Sequence, residues 1–476
     1  MVPRPADTIC RRLAFAAAIA HVAAAVAVVL SHPGLAWEPD RVANRLYFQG
    51  LGGGAARLVE QWYFPAPKIL GVALASLGPT GEGMAAALAA SLLAGCGTWL
   101  VARSAGGIAA VAFAVVLGLD PWWRVLVAIA SADLFVAAGV AATAAAWEAV
   151  APLAAALAVA LVVLVKAPAA ACVLPYLPDA RRSTASRAGL AAAAAIALGG
   201  TFAVYGWLLG DASVQFRSVS AYARIRGGAP AVSSWLAGWV TRDLGASLGP
   251  AWPLAVAGVL AIATARGAGP MRRWTLACLA VAAAFVTLAA WTNTLLFARF
   301  LWVLEVALLA LAAAGAAAVG RWIAKLVGAS RASVESIAAL ACGALVACAP
   351  LFRGGGEPAA FEILFEHGAR TALPWLERVG EDLPAGTRVV VPMWFQPAAM
   401  AILPTARVEA AEVLAARGVA PHPGEPGLLL LAPAFGEPAA ATWLGEASRD
   451  GTVVETSDLP HMSLVRIGRG EARDEH

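Results

Sequence analysis

Apolar residues along this chain run in long blocks, and only in the last quarter do they shorten to the four- or five-residue runs of a soluble fold. A bilayer core of about 30 Å takes roughly 20 apolar residues per helix, and shorter blocks still span where flanking residues snorkel or the bilayer thins. The pattern predicts about eleven spans, near residues 13–30, 82–101, 107–119, 125–147, 149–165, 167–178, 189–210, 251–265, 274–292, 299–319 and 335–351. Pro168, Pro175 and the short spacing around Lys166 predict a helical hairpin with a lysine at its tip. Beyond residue 352 the pattern changes to strands at Thr387 to Val391, Gly427 to Leu431, Thr452 to Val454 and Ser463 to Ile467, with helices expected over 409–417 and 438–448. Pro384-Ala385-Gly386 marks the turn into the first strand. The expected fold is a polytopic α-helical membrane domain, residues 1–352, followed by a small α/β domain, residues 353–476.

Composition agrees with a membrane protein. Of 476 residues, 61% are hydrophobic and 13% charged, against roughly 45–50% and 25% in an ordinary soluble domain. A disordered chain is excluded, and so is a nucleic-acid binder, since a net charge of +4 leaves no large basic surface. The charge is unevenly placed: 24 of the 34 Lys and Arg but 13 of the 30 Asp and Glu precede residue 353, so the body is basic and the tail acidic. Six cysteines lie scattered singly, with neither a disulfide framework nor metal-ligand spacing. The tail's His367, His422 and His461 share no spacing and read as ordinary histidines.

Orientation follows from short-loop cations. Arg11 and Arg12, Arg103, the group Arg181, Arg182 and Arg187, the group Arg266, Arg272 and Arg273, and the group Arg321, Lys325 and Arg331 all fall on one side. That side is expected to be the cytoplasm, which places the N-terminus inside and, with an odd span count, the acidic tail outside the plasma membrane. The first block also fits a signal peptide, with Gly34-Leu35-Ala36 as a poor cleavage site. Two outer loops, 31–65 and 211–250, mix aromatic residues with Arg and suit helices lying in the interface plane, Trp235 and Trp239 among them.

Ionisable residues at membrane depth cost about 2.5–3.5 kcal/mol each on insertion scales, so those that persist are functional candidates. Asp40 lies just outside span one, Asp120 caps span three, Asp133 lies within or at the mouth of span four, Lys166 is at the hairpin tip, and Arg299 and Glu305 begin span ten. The span count puts Asp40, Asp120, Lys166 and Arg299 at the outer face. A base and two cations facing one compartment suit moving a group off a phosphate: a carboxylate takes the acceptor proton and positive charge stabilises the departing phosphate. Asp40 would be the base, with Lys166 and Arg299 on the phosphate. Each has an ordinary alternative: Asp40 as a helix cap in a solvated loop, Asp120-Pro121 as a helix-end turn, Lys166 and Arg299 as snorkelling cations. Glu305, six residues from Arg299, is about 120° around a helix from it and needs a partner on another element or is neutral.

The order of these features resembles the GT-C superfamily of polyprenyl-phosphate-sugar-dependent membrane glycosyltransferases, including protein mannosyltransferases and lipid A aminoarabinose transferases. The resemblance runs over essentially the whole chain through short, degenerate motifs: Glu38-Pro39-Asp40, then Tyr47, then Pro65-Ala66-Pro67-Lys68-Ile69-Leu70. Ser131-Ala132-Asp133-Leu134-Phe135 is similar to the family's fourth-span opening, Leu164-Val165-Lys166-Ala167-Pro168 to its hairpin tip, and Ala298-Arg299-Phe300-Leu301 to its entry into a late span. The family's usual Asp-Glu pair is here Glu38-Pro39-Asp40, so either carboxylate fits as base.

What the resemblance implies is a GT-C-like fold of about eleven spans with an extracytoplasmic accessory domain. The implied reaction moves a sugar from a polyprenyl-phosphate carrier to an acceptor hydroxyl of a glycan, lipid or protein. Asp40, Glu38 and Asp120 would be catalytic, and Tyr47, Lys166, Arg299 and Asp133 would bind substrate. The lipid-linked sugar is a co-substrate; no cofactor is expected, and a divalent metal stays open. Three other classes compete: a secondary transporter, opposed by the absence of an internal repeat, a polysaccharide polymerase or ligase, and an inactive scaffold of the same fold.

Overall fold

In the computed structural model the described residues are 5–32, 78–213, 231–265, 267–292, 296–328, 330–348, 358, 370–392, 395–411, 414, 427–431, 453–459 and 462–467. The chain forms two units, Met1–Ser31 with Leu51–Ala223 and Gly228–Ala359, and His32–Gly50 with Arg224–Gly227 and Ala360–His476.

Three helix starts in the first unit carry side-chain caps, from Asp120, Ser131 and Ser183. The helices are α1 (Pro5–Ser31), α2 (Gly78–Ala105), α3 (Gly107–Leu119), α4 (Pro121–Ala128), α5 (Ala132–Glu148), α6 (Pro152–Val165), α7 (Thr184–Leu209), α8 (Val232–Gly238), α9 (Leu244–Ser247), α10 (Trp252–Thr264), α11 (Gly269–Thr292), α12 (Trp302–Val327) and α13 (Arg331–Ala347). Asp120 ends α3 and caps α4, its side chain accepting from the Trp123 amide with Pro121 at the first helical position. The two helices bend by 61° there. Ser131 caps α5 by accepting from the Asp133 amide at 3.2 Å, and Ala130 before it has φ 50°.

Two sequence expectations need correction. The span expected over 125–147 is broken, because α4 ends at Ala128 and the Ala130 turn and Ser131 cap start a new helix at Ala132. The segment expected as a sixth helical span, 167–178, is a 3₁₀ helix over Ala167–Tyr176. Pro168 and Pro175 withhold two amide donors from it. Among the described residues five helices are long and apolar enough to cross a membrane, or up to six if α3 and α4 form one broken span. Length alone thus gives fewer crossings than the eleven expected, while the protein as a whole is a membrane protein.

The best-buried span is α12. Together with the short turn before it, its most apolar window is 83% buried, against 17% for α1. Its crossing with α10 is close, because a Cβ on Gly258 would run into the Leu311 carbonyl and one on Gly315 into the Leu254 carbonyl. Glycine at both positions lets the backbones approach, the usual device where lipid supplies no hydrophobic drive.

In the second unit α14 (Arg370–Glu381) leads through Gly386, at φ 81°, into β1 (Arg388–Val391). Then follow α15 (Gln396–Ile402), β2 (Arg407–Ala410), β3 (Gly427–Leu431), β4 (Val453–Leu459) and β5 (Met462–Ile467). The sheet order is β2-β1-β3-β5-β4, with β2, β1 and β3 parallel and the β3–β5 and β4–β5 pairs antiparallel. Residues 409–410, expected to begin a helix, belong to β2. There Val408 and Glu409 pair with Val389 and Val390 of β1, and Glu409 is held between Arg388 at 2.5 Å and Arg407 at 2.8 Å. The helix expected over 438–448 lies outside the described residues.

Candidate functional site

The first turn of α5 carries a three-residue ion cluster. Asp133 is 5% exposed, stands in the first turn of its helix, and accepts from the Ser131 hydroxyl at 3.2 Å. A carboxylate there is favoured by the positive end of the helix dipole. Lys166 donates to one Asp133 oxygen at 2.5 Å, and Arg299 Nε stands 3.7 Å from the other. Lys166 is placed by the junction of α6 with the 3₁₀ segment, where its extended backbone, φ −149°, stops one helix and starts the next. Arg299 is placed by the 3₁₀ turn Ala298–Leu301 at the head of α12. Three segments distant in sequence thus bring together Asp133, Lys166 and Arg299.

Aromatic rings surround the two cations. Lys166 Nζ lies 4.1 Å from the ring centre of Phe300 and 5.5 Å from that of Phe285. Arg299 lies 5.4 Å from Phe297 and 5.9 Å from Phe300. Phe285 and Phe300 are stacked at 5.5 Å, with Phe297 edge-on to Phe300. Ring faces attract cations while excluding water, so charge on this cluster acts through a less polar medium than bulk solvent. Sequence reasoning had Phe300 beside Arg299, but Phe285 on α11 carries no local signal of this contact.

Asp120 and Glu305 have other partners. Asp120 is 1% exposed and accepts from Trp302 Nε1 at 2.5 Å as well as capping α4. Glu305, fully buried, accepts from Trp239 Nε1 at 3.0 Å and from the Ser247 hydroxyl at 2.9 Å. The partner that the sequence demanded for Glu305 is therefore a pair of neutral donors from the segment that passes from α8 through a π-helical turn, Trp239–Asp243, into α9. Trp239, expected in the interface plane, is instead 5% exposed and turned onto Glu305. Span one holds a further ionisable group that its apolar pattern does not mark: His21 is buried, its Nε2 3.0 Å from the Ala114 carbonyl and its ring edge-on to Trp123.

The last turn of α5 carries a second ion cluster. Glu148 accepts from Arg273 Nε at 2.7 Å and stands 3.6 Å from Arg181. Asp179 accepts from Arg181 Nη2 at 2.8 Å, from the Arg181 amide at 3.2 Å and from Trp147 Nε1 at 3.0 Å. The Arg181 guanidinium holds the Asp179 carboxyl well below the usual carboxylate range, outweighing the opposing effect of burial. Arg182 donates to the Trp147 carbonyl and closes the group. The sequence had used these arginines only to orient the chain.

Glu38, Asp40 and Tyr47 lie outside the described residues, as do His367, His422 and His461. Among the described residues, no three His, Cys, Asp or Glu side chains are grouped to share a metal ion.

Neither a family model nor a curated protein matches the sequence. Solved structures do match. The chain is similar to ArnT from Cupriavidus metallidurans bound to undecaprenyl phosphate, at TM-score 0.56 and 14% identity, over 94% of this chain and 97% of that one. The apo state of the same protein matches at TM-score 0.56, 15% identity and the same coverage. A weaker similarity, TM-score 0.43 and 14% identity over 82% of this chain and 62% of the other, is to an oligosaccharyltransferase from Archaeoglobus fulgidus. The fold is GT-C-like.

Proposed function

We propose that this protein is a membrane glycosyltransferase that moves a sugar from a polyprenyl-phosphate carrier to an acceptor hydroxyl at the extracytoplasmic face. The observation that carries the reading is the meeting of Lys166 and Arg299 around Asp133 under an aromatic cover. Two cations brought together from different elements form a receptor for an oxyanion. Fold similarity to a protein solved with undecaprenyl phosphate supports the same ligand class here.

Lys166 and Arg299 hold the phosphate as its bond to the sugar breaks, and Tyr47 contacts the substrate. Asp40, with Glu38 as its rival, takes the acceptor proton. Asp120 is a second acidic group that orients the acceptor, acting from the head of α4. The acceptor is a glycan, a lipid or a protein hydroxyl, and the enzyme resides in the plasma membrane with residues 353–476 outside. Reporter fusions at Thr184 and Gly355 are expected to report opposite sides of the membrane, and the same side for both would overturn the span count and the orientation of the site.

The direct test is carrier release by the full chain in proteoliposomes supplied with a panel of polyprenyl-phosphate hexoses and pentoses and with membrane extract as acceptor. Asp40→Asn keeps shape and removes basicity, so transfer is expected to fall about 10²–10⁴-fold with donor binding nearly unchanged. Loss with Glu38→Gln alone would move the base two residues upstream. No loss in either variant would end the catalytic reading of that loop.

A further inference from the structure

The phosphate site contains a carboxylate, and a carboxylate opposes phosphate. Asp133 does not simply neutralise a surplus: it is 5% exposed, fixed by Ser131, and in contact with the very cations that the proposed reaction needs. A site built only to hold phosphate would omit it.

The charge change of the reaction supplies a reason, and this inference rests on the reading just given. The sugar C1–O bond to the carrier phosphate breaks with its electron pair left on the phosphate oxygen. A new C1–O bond forms to the acceptor oxygen, whose proton passes to the base. The donor is a phosphodiester with one negative charge. The spent carrier is a phosphomonoester, whose charge at pH 7 is about −1.5 to −2. Lys166 and Arg299 attract the product more strongly than the donor and, left alone, would retain it. A fixed negative charge beside them repels each unit of phosphate charge, so it weakens the product more than the donor whatever other groups line the site.

We propose that Asp133 is the residue by which the site limits its hold on the spent carrier, weakening the more highly charged phosphomonoester more than the singly charged phosphodiester and so easing product release. Its position suits this. A phosphate accepting from Lys166 and Arg299 would lie within about 4–7 Å of a carboxylate that stands 2.5 Å from one and 3.7 Å from the other, where one extra unit of charge changes relative affinity roughly 10- to 100-fold.

The test is a binding measurement on the full chain in lipid nanodiscs with two probes, farnesyl phosphate and its methyl diester. In wild type the two cations outnumber Asp133, so the monoester is expected to keep a preference over the diester that the carboxylate holds down. Asp133→Asn is expected to raise affinity for the monoester relative to the diester by roughly 10-fold or more, and Asp133→Glu to restore the wild-type ratio. A role confined to holding the fold would move both affinities together and leave the ratio alone. If Lys166→Ala and Arg299→Ala weaken both probes while Asp133→Asn leaves their ratio within twofold, the phosphate site stands and the discrimination is wrong. Should neither cation variant weaken either probe, the glycosyltransferase reading falls with it.

Discussion

Helix α5 carries an acidic residue at each end, about 22 Å apart, and the two ends are built on opposite principles. Asp133 sits where the helix dipole favours it and shares its charge with Lys166 and Arg299, two cations lying over phenylalanine rings. Glu148 sits where the dipole opposes it and is compensated by Arg273 and Arg181, inside a group that also ties Asp179 to Trp147 and Arg182 to the backbone. One end is a small cluster faced by apolar rings. The other is a densely hydrogen-bonded knot joining α5, the segment before α7 and the start of α11. The same residue types therefore recur in two settings, and what separates them is the company of each carboxylate: phenylalanine rings at one end, the hydrogen bonds of Asp179, Trp147 and Arg182 at the other.

The largest effect expected from this contrast is on stability at the knot. Arg273→Ala leaves buried Glu148 with the more distant, half-exposed Arg181, and breaking such a pair costs about 3–5 kcal/mol. Thermal unfolding of the purified chain in detergent should show that loss for Arg273→Ala and a clearly smaller one for Arg299→Ala. Equal losses would make both clusters structural and remove the distinction.

Next in size is the response of the first cluster to a change of cation shape. Arg299→Lys keeps the charge but loses the planar fork, and one lost charge-assisted contact should raise the barrier to transfer by about 1.5–3 kcal/mol. Carrier release under subsaturating donor measures it. Wild-type rates in Arg299→Ala and Lys166→Ala, with normally inserted protein, would assign both cations to snorkelling.

How much of this could be read from the sequence differs between the ends. The chain's blocks of apolar residues announced a helical membrane body, and costly charge at membrane depth singled out Asp133, Lys166 and Arg299 before any contact was known. A serine cap marks the break at Ser131, but a run of apolar residues on both sides hides it when length is the guide. The knot was illegible because it is made from loop arginines, whose abundance already had an explanation in membrane orientation. Nothing local marks Phe285 or Trp239 as partners of distant charges; those contacts arise from packing of α11 and of the α8–α9 segment. In the sheet, β2 was missed because Arg407 to Ala410 has a short alternating pattern that an adjoining helical run, Ala410-Ala411-Glu412, conceals.

The smallest effect sharpens the comparison through pH. Asp179 lies outside the membrane-spanning helices, and its carboxyl is held below the ordinary range first by Arg181, then by Trp147 and the Arg181 amide, against the contrary effect of burial. A group whose folded pKa is depressed binds fewer protons folded than unfolded, so its contribution is fully present above the unfolded value, near 4, and is lost as pH falls toward the folded one. Arg181 is more than half exposed, so solvent screens its share and the whole contribution is about 1 kcal/mol. Unfolding midpoints of wild type should therefore decline between about pH 5 and 3, and Asp179→Asn should start lower at pH 7 and decline less over that window. Asp179→Asn reproducing the wild-type acid slope would show that the slope belongs to other groups and that the Asp179–Arg181 pair adds nothing to the knot.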